Sequence, residues 1–193
     1  MLNRKDHYFK KAKEEGFRAR SAYKLFELNK KHNIIKRNDK ILDLGCSPGS
    51  WSQVALKLVG NKGLVLGIDI LPVKELPGIK FLEADITAKE TIFMIKTFSS
   101  QFDVIMSDMA PKTTGIKDLD HIKSIYLNEK ALDLAEEVLK NRGNFICKVF
   151  QGEEFPNFLK KVKEKFEFTK SFKPESSRKE SKEIYIIAKG FKK

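Results

Sequence analysis

Short apolar runs and longer amphipathic stretches alternate along this chain, and their two periods separate strands from helices. Residues 40–44 (KILDL), 63–68 (GLVLGI), 102–106 (FDVIM) and 144–150 (NFICKVF) are aliphatic and aromatic runs bounded by Gly, Asn, Asp or Ser. They predict strands buried on both faces. Residues 80–82 form a shorter strand of the same kind. Between them lie helical patterns at 18–32, 50–58, 89–98, 118–140 and 153–166. In the first, Ala22, Leu25, Phe26 and Leu28 fall near one face. In the longest, Ile122, Ile125, Tyr126, Leu132, Ala135 and Leu139 form a stripe predicted to face the core, and Asn141 and Gly143 end the helix. The last two strands, 167–172 and 183–188, are joined by KPESSRKESK, too short for a helical crossover, so they pair antiparallel. The reading is an α/β fold: a mostly parallel seven-stranded sheet with one antiparallel strand near the C-terminus and helices on both faces.

Length and composition narrow the class. A chain of 193 residues with 41% apolar content suits one domain around one sizeable core. No apolar run reaches the length that crosses a bilayer, so no membrane is expected as partner. The N-terminal MLNRKDHYFKKAKEEGFRAR has no apolar signal core, which argues against secretion, and Asp6, Glu14 and Glu15 weaken a transit-peptide reading. The expected location is the cytoplasm of a bacterium, or a mitochondrion or another organelle of a eukaryote. Cys46 and Cys147 lie in apolar, strand-like surroundings and read as reduced buried thiols. Charge changes the picture more. Lys and Arg number 38 against 26 Asp and Glu, a formal +12. The cations crowd at Lys10, Lys11, Lys13, Arg18 and Arg20, at Lys160, Lys161, Lys163 and Lys165, and at Lys173, Arg178, Lys179 and Lys182. Such a field attracts polyanions, nucleic acid first.

The stretch ILDLGCSPGSWSQVA (41–55) carries the candidate chemistry. A strand ends in the loop GCSPG, and a helix follows; ligands of open α/β sheets sit at such strand ends. Gly45, Ser47, Pro48 and Gly49 are the candidate cradle, with glycines that let the backbone approach a ligand. The dinucleotide pattern G-x-G-x-x-G is missing its third glycine and no Walker GK[ST] occurs, so a pyrophosphate ligand is disfavoured. Asp69 ends the second strand, where a carboxylate accepts from ribose hydroxyls, and Asp85 follows the third, in reach of an adenine edge. Asp43 and Asp108 add negative charge. A nucleoside with a cationic centre and no phosphate fits, and S-adenosylmethionine is such a molecule. Each acid taken alone also reads as a cap or turn residue.

With SDMAP (107–111) and KVFQGE (148–153), the chain closely resembles the FtsJ/RrmJ-type ribose 2′-O-methyltransferases. The resemblance runs from DHYFKKAKEEGFRARSAYKL to SSRKESKEIYIIAKG, nearly the whole chain. It implies a Rossmann-like S-adenosylmethionine-dependent methyltransferase fold, with 1–193 as a single methyltransferase domain and 1–38 as a basic RNA-facing extension and first helix. It also implies a catalytic tetrad of Lys24, Asp108, Lys148 and Glu183. Its cofactor positions fall on Gly49, Trp51, Asp69, Asp85 and Asp108, and the product of the reaction is S-adenosylhomocysteine. Ser50 stands where many members have a second glycine, and is expected to cap the helix; Cys46 replaces a common alanine. KVFQGEEF and SSRKESKEIYIIAKG look most like members that methylate a uridine ribose in large-subunit rRNA, with tRNA anticodon-loop members the nearest rivals. The implied partner is ribosomal RNA or the large ribosomal subunit, met by a monomer.

Transfer of a methyl group to a ribose hydroxyl needs alignment and a base. On the resemblance, Lys148 is the candidate base, acting only when neutral, with Lys24 holding the developing oxyanion or a phosphate. Asp108 would orient Lys148, and Glu183 would fix Lys24 or the ribose. Trp51 either walls the cofactor pocket or packs the helix start. Phe17 and Tyr23, beside Arg18 and Arg20, either stack on bases or pack the first helix. His7, His32 and His121 are scattered, and no metal site is read from them. A non-catalytic ribosome-assembly factor, a small-molecule methyltransferase and a nicotinamide dehydrogenase are the competing readings. The intact tetrad, the charge and the missing third glycine, respectively, argue against them.

Overall fold

The computed structural model describes residues 4–177 and 181–193, with side chains from His7 onward. Arg178 and Lys179 of the third basic cluster lie outside the described residues. The strands are β1 (Lys40–Leu44), β2 (Leu64–Asp69), β3 (Lys80–Glu83), β4 (Phe102–Ser107), β5 (Leu139–Phe150), β6 (Phe166–Phe172) and β7 (Glu183–Phe191). They form one sheet in the order β3-β2-β1-β4-β5-β7-β6. β1 to β5 are mutually parallel, and β7 runs antiparallel to both its neighbours, so one strand is reversed, as expected.

The helices are α1 (Arg4–Glu14), α2 (Ala22–His32), α3 (Ser50–Val59), α4 (Glu90–Phe98), α5 (Lys117–Val138) and α6 (Phe155–Lys165). They divide between the two faces. One apolar cluster joins the sheet to α4, α5 and α6 through Ile95, Leu132, Ala135, Phe158 and Val162. The other joins it to α1, α2 and α3 through Ala12, Leu25, Leu28, Trp51 and Val54. α2 stops at Asn33, which turns left-handed at φ 47°, while the Asn29 side chain accepts the Ile34 and Ile35 amides at 2.9 and 2.8 Å. That closes the helix directly above the sheet.

Four details differ from the sequence expectation. Helix α1 has no counterpart in the periodicity; its weakly apolar face is completed by the neighbouring Tyr23 ring, 5.3 Å from Tyr8. Helix α2 starts at Ala22 rather than at 18, because Arg18 is pinned through its amide to Gln53 at 2.9 Å, which draws the chain across α3. Helix α5 ends at Val138, and Leu139 is instead the first residue of β5, paired with Phe102. The segment from Asn141 to Gly143 bulges, with Arg142 at φ 61°, before pairing resumes at Asn144. Finally, Ile122 and Tyr126 of the expected core stripe are 56% and 50% exposed, while Asp120, His121, Ser124 and Asn128 are buried.

Candidate active site

The carboxyl ends of β1, β2, β4 and β5 and the start of β7 converge on one end of the sheet, and the tetrad assembles there. Asp108 follows the last residue of β4, Lys148 lies near the end of β5, and Glu183 opens β7. Lys24 reaches in from the first turn of α2. Both lysines are buried. The four groups form two pairs: Lys24 Nζ to Glu183 Oε2 at 2.8 Å, and Lys148 Nζ to Asp108 Oδ1 at 3.0 Å. Lys148 also donates to the Asp108 backbone oxygen at 2.5 Å.

Tyr185, absent from the sequence-derived site, joins the pairs. Its hydroxyl donates to Asp108 Oδ1 at 2.7 Å, and Lys24 Nζ lies 5.6 Å from its ring centroid. Its position was readable: two residues past Glu183 on a strand, it points to the same face. Burial first, then the Asp108 and Glu183 carboxylates, drive the Tyr185 phenol far above its ordinary value, so it stays a donor. For Glu183, burial pushes the carboxyl up, but the Lys24 ion pair and the Lys148 charge outweigh it and hold the group below its usual range.

A second set of residues holds Lys148 from behind. β5 continues through Lys148, Val149 and Phe150 beyond its last pair with β4, Ser107 with Cys147, so its backbone there lacks a sheet partner on that side. The buried polar face of α5 supplies one. Asn128 Nδ2 donates to the Lys148 carbonyl at 2.8 Å, and Ser124 Oγ accepts the Phe150 amide at 3.2 Å. His121 Nε2 accepts the Glu154 amide at 3.0 Å, so its Nδ1 carries the proton and donates to the Phe150 carbonyl at 2.8 Å. This need explains why α5 turns polar side chains inward and leaves Ile122 and Tyr126 outside.

The GCSPG loop lies at the end of β1. Gly45 and Gly49 have φ of 68° and 108°, and a Cβ at Gly45 would run into the Met109 side chain. Asp69 ties the loop to β2: its Oδ2 accepts the Ser47 amide at 2.8 Å and its Oδ1 the Leu71 amide at 2.9 Å. Arg18 staples the outer wall, donating to the carbonyls of Pro48, Lys74 and Glu75 at 2.8, 2.6 and 2.9 Å. Trp51 is buried, stacked on Tyr185 at 5.7 Å, with its Nε1 donating to the Ser21 carbonyl at 3.0 Å. Ser50 is not the expected cap: Gly49 occupies that position, and the Ser50 hydroxyl is 2.7 Å from that of Ser21. Asp85 stands apart on an exposed turn, its Oδ1 taken by the Thr87 amide and hydroxyl, both at 2.8 Å. Phe17 and Tyr23 are buried against each other at 6.1 Å, which withdraws both rings from any base.

Asp43 is fully buried beneath this loop. Its Oδ2 accepts from Ser52 Oγ at 2.6 Å, and its Oδ1 has no partner among the described residues. Burial, with Asp108 and Asp69 adding and the Ser52 bond opposing, pushes its carboxyl up to about 8. An orphaned buried oxygen, a loop with two left-handed glycines, and the exposed apolar Ile70 and Leu71 beside Asp69 suit a nucleoside with a polar amino-acid tail. The residues fit S-adenosylmethionine.

Comparison with known proteins places the geometry in context. The chain is 46% identical over 193 residues, all of both chains, to a protein of Archaeoglobus fulgidus named ribosomal RNA large subunit methyltransferase E. A protein of the same name from Marinobacter nauticus is 45% identical over 97% of this chain and 91% of its own. A solved structure from Plasmodium falciparum, described as a ribosomal RNA methyltransferase, superposes with a TM-score of 0.83 at 32% identity, covering 91% of this chain and 98% of that one. The fibrillarin/Nop5p complex contains the same fold at 20% identity and a TM-score of 0.59. The FtsJ-like methyltransferase family matches residues 17–191, and this chain, an RNA methyltransferase by fold and by kin, belongs to that family.

Proposed function

We propose that this protein methylates the 2′-hydroxyl of a ribose in RNA, using S-adenosylmethionine, and that its target is a uridine of large-subunit ribosomal RNA. The relatives' names favour the large subunit over tRNA. The observation that carries the chemistry is the pair of lysine–carboxylate contacts meeting around Tyr185. The whole chain acts as one methyltransferase domain and as a monomer, with residues 1–38 turned toward the RNA. Within that extension, Arg18 spends its guanidinium on loop carbonyls and Arg20 donates to the Ser176 carbonyl at 2.9 Å. These two arginines therefore brace the fold.

The cofactor would be held by Gly45, Ser47, Pro48 and Gly49, with Asp69 to accept from its ribose and Asp85, on its exposed turn, to meet its base. When bound, it supplies an electrophilic methyl group on a sulfonium. The chain's own residues do the rest. Lys148, as the neutral amine, accepts the 2′-hydroxyl proton as the ribose oxygen bonds to the methyl carbon, and becomes the ammonium that Asp108 holds. The Tyr185 hydroxyl stays on Asp108 Oδ1, so the carboxylate keeps its place when Lys148 turns to the ribose. Lys24, fixed by Glu183, presents a positive charge where the oxyanion develops.

Tritium transfer from labelled S-adenosylmethionine to naked rRNA and to large subunits tests this proposal. Lys148→Ala, with Lys148→Met as a control that keeps the apolar stem, is expected to fold and to bind cofactor, measured as cofactor-dependent thermal protection, but not to methylate. Near-normal turnover in either variant rejects the base role.

A further inference from the structure

The sheet face beneath α2 carries two parallel cross-strand rows. One is catalytic: Lys148 pairs with Tyr185, and Tyr185 with Phe172. The other lies four positions away on every strand: Asn144 pairs with Lys189, and Lys189 with Phe168. At strand spacing the rows are about 13 Å apart. The second row floors a cavity of about 460 Å³ at the far end of the sheet, which Lys36, Arg142 and Glu167 also line.

Its chemistry is that of a polyanion site. Lys36 and Arg142 form no ion pair with a described residue, while Asp103 nearby is held by Lys140 at 2.6 Å and Asp39 accepts the Lys36 amide at 2.7 Å. Lys189 donates to the His32 carbonyl at 2.9 Å and Asn144 to the Ile34 carbonyl at 2.7 Å, which locks the end of α2 to the floor. Phe168 is 47% exposed. Arg142 adopts a left-handed φ of 61°, where Gly or Asn sits more easily. Between the rows, edge strand β6 shows the exposed Lys170, and Lys31 lies 4.5 Å above the Phe172 ring. Burial, and then Lys170, Lys189 and Lys31, hold His32 below its ordinary value, a mark of the same cationic field.

Cations interleaved with aromatic rings along a groove are how single-stranded nucleic acid is held: phosphates on the charges, bases on the rings. We propose that this groove is a second RNA contact, with a phosphate on Lys36 and Arg142 and a base on Phe168, reached from the methylation cleft along β6. The choice of RNA as occupant rests on the RNA methylation proposed above.

The test uses the full chain and oligouridylates, which need no target sequence. Fluorescence anisotropy of an 18-mer is followed against KCl for the wild type, Lys36→Gln/Arg142→Gln and Phe168→Ala. The lost phosphate contact lowers the slope of log K against log salt by about 0.7, a roughly fivefold weaker affinity near 0.1 M salt. Phe168→Ala weakens binding roughly tenfold with the slope unchanged. On rRNA, all variants keep kcat at saturation and raise KM. An unchanged slope in a double variant whose thermal unfolding matches the wild type overturns the proposal and leaves the groove to an acidic protein surface. If the slope falls but the wild type methylates no rRNA, the groove stands and the proposed activity fails.

Discussion

Asn128→Ala tests whether the inward polar face of α5 serves Lys148 or only the fold. Asn128 Nδ2 makes two bonds, both 2.8 Å, to the Ser124 and Lys148 carbonyls. The Ser124 carbonyl lies inside α5, where the helix ladder supplies another donor, so its loss is small. The Lys148 carbonyl has no such substitute, because β4 has already ended beside it. A buried carbonyl left without a donor costs about 1–3 kcal/mol. Against that, Asn128 Oδ1 is itself buried without a partner, and deleting it relieves part of the penalty. The net loss should be about 1–2 kcal/mol, read by urea unfolding. Function should suffer more. A shift of roughly 1 Å in a reacting group costs on the order of 100-fold, so kcat should fall about 10- to 100-fold while KM for RNA holds. Asn128→Asp puts an acceptor against an acceptor and should be worse in both readouts. If Asn128→Ala is destabilised as stated but keeps wild-type kcat, the clasp is structural only and the reasoning about Lys148 is wrong.

Other expectations follow from single contacts. The folded value of Asp43, about 8, lies above the ordinary carboxyl value of 3.8, so the folded chain binds the extra proton between them and loses stability as pH rises through that window. Asp43→Asn removes the loss; its stability advantage should grow between about pH 4 and about pH 8, by on the order of a few kcal/mol, read as a widening Tm difference, and a flat difference would refute it. Arg18→Ala deletes three bonds to the loops around Pro48 and Glu75 and should weaken cofactor binding several-fold by calorimetry, with little change in kcat. Trp51→Ala should cost about 3–5 kcal/mol, and Trp51→Phe, which keeps a ring against Tyr185 but drops the Ser21 bond, about 1–3 kcal/mol in denaturant titrations.

Strand and helix order was legible because the two hydrophobic periods differ, and the reversed β7 followed from the short link before it. The tetrad was legible as sequence motifs. Long-range facts were not. Nothing local says that β5 outruns β4, yet that mismatch turns α5 inside out along His121, Ser124 and Asn128 and exposes Ile122 and Tyr126. The polar spacing 121, 124, 128 was the available signal, masked by the apolar stripe beside it. Arg18 looked like a phosphate ligand because the three carbonyls it serves come together only in the folded chain. Ser50 had cap chemistry, but the left-handed Gly49 took the position one residue earlier.

One ring ties the two halves of the reaction together. Tyr185 leans on Trp51 at the root of α3, lies beneath Lys24, and grips the carboxylate that holds Lys148. In the proposed reaction, donor and acceptor machinery therefore share a common pivot. A change in the glycine turn that nudges α3 must displace the proton-handling groups in step with it, so the line from methyl to oxygen is conserved as a unit or lost as one.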